Sequence, residues 1–132
     1  MLVRRLSEAP VEPVHRLSLR ILMDAGELGS RKMSATVVDV PAGVEQTLRS
    51  HEDAESLYIV LTGSGRLTVA GDTQNLGEGD LVLVPPATDH TVGNDGTEAF
   101  SCISVQSPPV SVEELYHREL DTVGGAYELD DD

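Results

Sequence analysis

The side chain on which chemistry could turn is His90. It stands near the end of the stretch Gly79-Asp80-Leu81-Val82-Leu83-Val84-Pro85-Pro86-Ala87-Thr88-Asp89-His90-Thr91-Val92-Gly93-Asn94. An imidazole exchanges a proton near neutral pH and can also ligate a divalent metal. Here it follows a Pro-Pro break, with Asp89 before it and Asn94 after it. A second set lies upstream. From Thr47 the odd positions of a strand-like stretch put Thr47, Arg49 and His51 on one face.

These residues need elements to hold them. Leu81 to Val84 is an apolar, largely β-branched run bounded by turn residues, and it predicts a strand covered on both faces. Pro85 and Pro86 end that strand, because neither can donate to a ladder. A short strand then presents His90. Further strands are expected over 17–23, 33–40, 44–51, 56–61, 66–70, 73–76 and 99–106, each bounded by Gly, Pro, Asp or Asn. One helix is expected over 111–120, with Ser111 as its cap and Glu113 and Glu114 in its first turn. The division that follows is an N-terminal arm over 1–16, a β-barrel over 17–110, the helix over 111–120 and an acidic tail over 121–132. The arm, spaced by Pro10 and Pro13, is expected to be extended and to cover the barrel or cross a neighbouring subunit.

Composition agrees with an all-β chain. In 132 residues there are one Phe, three Tyr and no Trp, so the core must be built of Val, Leu, Ile and Ala. With 12 Gly and 7 Pro, short strands joined by turns are expected rather than a helix bundle. About eight such strands make a small antiparallel barrel or jelly roll, wide enough for one small ligand at its mouth. The net charge of −14 is uneven: seven basic and six acidic residues through Arg49, then two basic and seventeen acidic. That field repels phosphate backbones and anionic lipid, so no nucleic-acid and no membrane partner is expected. The single Cys102 cannot form an internal disulfide and lies in an apolar strand, which predicts a buried, inert thiol. The start lacks the apolar core of a signal peptide, so a cytoplasmic location is expected.

Two spaced motifs in this frame resemble those of the cupin superfamily. The family's second motif runs Gly, five residues, Pro, one residue, Gly, two residues, His, three residues, Asn. This chain has Gly79, Pro85, Ala87, His90 and Asn94 at those places, with Ala87 in place of the second glycine. The first motif runs Gly, five residues, His-x-His, three or four residues, Glu, six residues, Gly. This chain has Gly43, Arg49-Ser50-His51, Ser56 and Gly63. The resemblance implies a cupin-type β-barrel in which His51 and His90 match two of the family's four metal ligands. Arg49 stands where another His is usual, and Ser56 where the Glu is usual, with Glu55 one position early. A one-residue offset on a strand turns a side chain to the opposite face, so Glu55 reaches inward only through a bulge.

Two chemistries follow from this resemblance. In one, His51, Glu55 and His90 hold a single divalent transition ion (Fe, Zn, Mn or Ni), as a metal-dependent dioxygenase would. In the other the pocket works without a metal. Tyr58 shares the inward face of Ser56 by period 2, and His51, Tyr58 and His90 act as acid and base. Arg49 and Ser56 then hold a small oxygenated substrate. The second chemistry suits an isomerase, cyclase or lyase acting beside a carbonyl. A non-catalytic ligand-binding or sensor cupin is the reading from outside enzymology. The resemblance also implies a homodimer, since small members of the family often pair through their N-terminal strands.

Overall fold

The computed structural model describes residues 1–14, 16–50 and 52–111, with Arg49 described by its backbone alone. Ten strands form two antiparallel sheets. They are β1 (Val11–Val14), β2 (Leu17–Met23), β3 (Ser34–Val40), β4 (Glu45–Arg49), β5 (Glu55–Thr62), β6 (Gly65–Val69), β7 (Asp72–Leu76), β8 (Leu81–Val84), β9 (Asp89–Gly93) and β10 (Phe100–Ser107). One sheet has the order β1-β2-β3-β10-β5-β8, the other β4-β9-β6-β7. The sheets face each other as a jelly roll, as the turn spacing predicts. The expected helix over 111–120 and the acidic tail lie outside the described residues, apart from Ser111. No helix among the described residues is long and apolar enough to cross a membrane.

The extended arm includes a strand: β1 pairs with β2 and forms the edge of the larger sheet. One expectation needs correction. β8 is not covered on both faces. Val84 is fully buried, but Leu81 and Leu83 are 57% and 52% exposed. An unbroken apolar run does not reveal which face stays open, and β8 pairs only with β5, at a sheet edge.

Strand alternation decides what enters the barrel. Along β3 the positions 34, 36, 38 and 40 point inward, and across β10 they meet 106, 104, 102 and 100. β10 in turn sets Ser104 beside Tyr58 and Gln106 beside Ser56 on β5. The interior therefore divides into two halves. One half is apolar, with Val38, Val40, Val60, Val92, Phe100 and Cys102 packed together. The other is polar, with the rows Thr36–Ser104–Tyr58 and Ser34–Gln106–Ser56.

The apolar end is closely packed at Gly65. Gly65 lies against the Phe100 ring, and a Cβ there would also come within 2.8 Å of the Gly93 carbonyl oxygen. Asn94, the last residue of the second motif, pins the same end. Its Nδ2 donates to the carbonyls of Val40 (2.9 Å) and Glu98 (2.7 Å), and its Oδ1 accepts from the Gly96 N–H (3.0 Å).

Candidate active site

His90 lies at the polar end. It sits on β9 between Leu48 of β4 and Val69 of β6, and is 3% exposed. Its Nε2 is 2.9 Å from Tyr58 Oη, the two rings tilted by 57°. Its Nδ1 is 3.3 Å from the Thr88 carbonyl oxygen. A carbonyl can only accept, so Nδ1 carries the ring proton and Nε2 is the bare nitrogen. The Tyr58 hydroxyl therefore donates to Nε2. Burial strips water from the imidazolium and lowers the pKa to about 4, although the Thr88 carbonyl and the Asp89 charge work in the opposite direction. At neutral pH the ring is uncharged.

The chain around His90 explains this placement. Pro85 and Pro86 stop β8, and Ala87 turns the chain with φ 53°, a left-handed conformation. Thr88 Oγ1 closes the turn on the Pro86 carbonyl at 3.0 Å. The Thr88 carbonyl then serves two groups at once: the His90 ring and the Ser50 N–H, at 3.0 Å. Glycine stands in the family motif where Ala87 stands here, and the positive φ is its physical reason.

Tyr58 and Ser56 both point inward from β5, 4% and 2% exposed. Glu55 is exposed and belongs to the opposite face of that strand, so Glu55 and His90 do not converge. Arg49 stands opposite Asp89 in the β4–β9 ladder. The buried positions of β4 are Gln46 and Leu48, even-numbered and out of phase with Thr47, which bonds Thr91 Oγ1 at 3.0 Å. His51 lies outside the described residues.

Sequence reasoning missed Thr36, Ser50, Ser104 and Gln106. All four are buried, and Ser104 stands between Thr36 and Tyr58 in one row. Gln106 Nε2 donates to Ser104 Oγ at 2.7 Å. Thr36 Oγ1 and Ser50 Oγ have no hydrogen-bond partner among the described residues. The available signal was the period-2 placement of polar residues at 34 and 36, and at 104 and 106, in strands that otherwise read as apolar. A cavity of about 300 Å³ opens between β6–β7 and β8, lined in part by Val69 and Val82. Val69 is the ladder partner of His90, and Val82 that of Tyr58.

The fit to a metal can be judged from these donors. Among the described residues no three His, Cys, Asp or Glu side chains come together. Among the described residues the side chain bonded to His90 is the Tyr58 hydroxyl, a poor ligand for a transition ion without a carboxylate or a second imidazole. Both His90 nitrogens already have partners. The described donor set does not make a metal centre.

The fold and the two motifs define the class: the chain is a cupin. The Cupin domain family signature matches residues 36–106, more than half of the chain, and the chain belongs to that family. An uncharacterized protein of Methanocaldococcus jannaschii, MJ1618, is 30% identical over 83 residues, covering 63% of this chain and 66% of that protein. The chain spans under two thirds of the length of the curated relatives it matches; for a putative mannose-1-phosphate guanylyltransferase of Vibrio cholerae the share is 18%. Among solved structures, ectoine synthase from P. lautus superposes with a TM-score of 0.75 at 20% identity, over 90% of this chain and 86% of that one. The polyketide cyclase RemF from Streptomyces resistomycificus superposes with a TM-score of 0.68 at 20% identity, over 97% and 96%. At this identity the likeness shows the fold.

Proposed function

We propose that this cupin is a small-molecule enzyme of the isomerase, cyclase or lyase type, in which Tyr58 and His90 move a proton on a small oxygenated substrate. The observation that carries the proposal is the 2.9 Å bond from Tyr58 Oη to His90 Nε2, with Nδ1 held on a backbone carbonyl. This is a base oriented by a third group. A phenol oxygen that gives its own proton to Nε2 keeps lone pairs with which to accept. It can take a substrate proton while its own passes to the ring. The buried ring resists becoming a lone cation, so the relay favours reactions in which an anion forms beside it. Enolate formation next to a carbonyl is such a reaction. A cyclase and a synthase among the structural neighbours are compatible with this class.

The test is deuterium exchange into hydroxyacetone and pyruvate, followed by proton NMR. The protein should accelerate loss of the α-proton signal of at least one of them. Tyr58→Phe and His90→Gln should each reduce the acceleration by about 10²-fold or more, the usual weight of a positioned acid or base. No acceleration by the natural protein, or acceleration indifferent to both substitutions, would sink the catalytic reading and leave a binding cupin. We also infer a homodimer. Leu81 and Leu83 continue the outer face of Leu57 and Ile59, leaving a flat apolar surface on the larger sheet. Sedimentation of the natural protein against Leu81→Asp/Leu83→Asp checks it: a dimer that the substitutions dissociate is expected, and a monomer in both refutes it.

A further inference from the structure

The polar row beside Tyr58 contains hydroxyl donors for which no acceptor is found among the described residues. Thr36 is 3% exposed, and its Oγ1 has no hydrogen-bond partner among the described residues. Ser104 is fully buried, and its Oγ receives the Gln106 amide N–H at 2.7 Å. That bond uses an oxygen lone pair of Ser104 and leaves its O–H to donate elsewhere. Thr36 is the ladder partner of Ser104, and Ser104 is the ladder partner of Tyr58, so the three side chains leave the sheet wall side by side on the interior face. Tyr58 donates its proton to His90. The row therefore offers two hydroxyl donors next to one acceptor oxygen.

From this pattern we propose that Thr36 and Ser104 bind a substrate carbonyl oxygen, and that the ligand class is an uncharged α-hydroxy carbonyl compound. This rests on the proton relay proposed for Tyr58 and His90, and extends it. A carbonyl oxygen accepts from both hydroxyls, and the carbon next to it is delivered to the Tyr58 oxygen. In the reaction the C–H bond breaks and its proton goes to Tyr58 Oη, while the Tyr58 proton passes to His90 Nε2. The C–H electron pair becomes the C=C bond of the enolate, and the carbonyl π pair moves onto the oxygen held by Thr36 and Ser104. Enolate and imidazolium appear together, so the net charge of the buried site does not change. To complete an isomerisation, the hydroxyl proton of the enediolate moves to the oxygen held by Thr36 and Ser104, the alkoxide so formed becomes the new C=O, and the C=C pair takes the proton returned from His90 through Tyr58 at the former carbonyl carbon. The described lining of hydroxyls, an amide and a neutral imidazole suits an uncharged ligand, since a buried charge without a partner is costly.

The probe pair is hydroxyacetone and 1,2-propanediol, which differ only at the carbonyl. Each is titrated into isotope-labelled protein and followed by amide chemical shifts, beside the Thr36→Val and Ser104→Ala variants. Hydroxyacetone should bind at least tenfold more tightly than the diol. Each substitution should remove most of that preference while leaving diol binding within about threefold, since one hydrogen bond to an uncharged ligand is worth about a factor of ten. Thr36→Val is close to isosteric and removes an unpaired buried hydroxyl, so its melting temperature should not fall. A fallen melting temperature in one variant leaves the other to decide. Equal binding of ketone and diol by the natural protein, or a ketone preference that survives both substitutions, overturns the proposal. Ketone preference without deuterium exchange would uphold the carbonyl site and refute the relay, so the two failures are distinct.

Discussion

Acidification should destabilise this protein through His90, and the size of the effect can be worked from the site. In the folded chain the ring is buried against Tyr58 and the Thr88 carbonyl, and it protonates only near pH 4. In the unfolded chain it protonates near the ordinary value of 6.5. Between these values the unfolded state binds more protons, so the stability due to this group is whole above pH 6.5. It is lost as pH falls toward 4 and falls no further below that. At 1.36 kcal/mol per pH unit the full loss is about 3 kcal/mol, a large share of a domain's usual 5–15 kcal/mol. Many carboxylates titrate at the lower end of this window, so the measurement must be a double difference. Urea unfolding of the natural protein and of His90→Gln at pH 7.5 and pH 4.5 isolates the ring. The natural protein should lose roughly 2–3 kcal/mol more than the variant between the two pH values. The ring carbon–proton signal of His90 should also keep its neutral shift to below pH 5. Parallel losses in the two proteins, or a titration midpoint near 6.5, would refute both the burial of the ring and the neutral state assigned to it.

Three further outcomes follow from particular contacts. Gly65→Ala drives a methyl group into the Phe100 ring and the Gly93 carbonyl, and should cost about 2–3 kcal/mol in denaturant unfolding. Unchanged stability would mean that the apolar end is looser than described. Ala87→Gly relieves a left-handed residue at φ 53° and should add up to about 1 kcal/mol, the strain outweighing the entropy glycine adds to the unfolded chain; a net loss would contradict the strain. Cys102 is buried, and its thiol is pushed up to about 12, first by burial and then by the Asp39 charge. It should resist a thiol-specific disulfide reagent until the protein unfolds, and rapid modification of the folded protein would show otherwise.

Much of the frame was legible because it rests on local rules. The turns at Gly43, Gly63 and Gly79 need positive φ, and the strands between them alternate, so the spacing of glycines and apolar runs marked most strands to within a residue or two. The inward direction of Tyr58 and the isolation of His90 followed from the same periodicity. Other features were not legible, because they depend on pairing between distant strands. Nothing in the local sequence says that β4 turns Gln46 and Leu48 inward. The open face of β8 is set by its edge position. The row Thr36–Ser104–Tyr58 joins residues far apart in the chain, and only the registers of β3, β10 and β5 place them together.

The two ends of the barrel argue against reading its polar residues as structural filler. Asn94 shows what a structural polar group looks like in this protein: it is 1% exposed, and its amide N–H groups and its oxygen all have partners within 3.0 Å. At the other end Thr36 and Ser50 bury hydroxyls with no partner among the described residues, and the Ser104 hydroxyl proton has no assigned acceptor. Each such group costs on the order of 1–3 kcal/mol when dry. Valine or alanine at these positions would pack the same space without that cost. A chain that satisfies its buried amide so fully at one end and leaves hydroxyls unmatched at the other has a reason located at the second end. That end is where Tyr58 and His90 meet. Buried donors without a described acceptor, beside a bonded acid–base pair, are the observation on which the proposed carbonyl site rests.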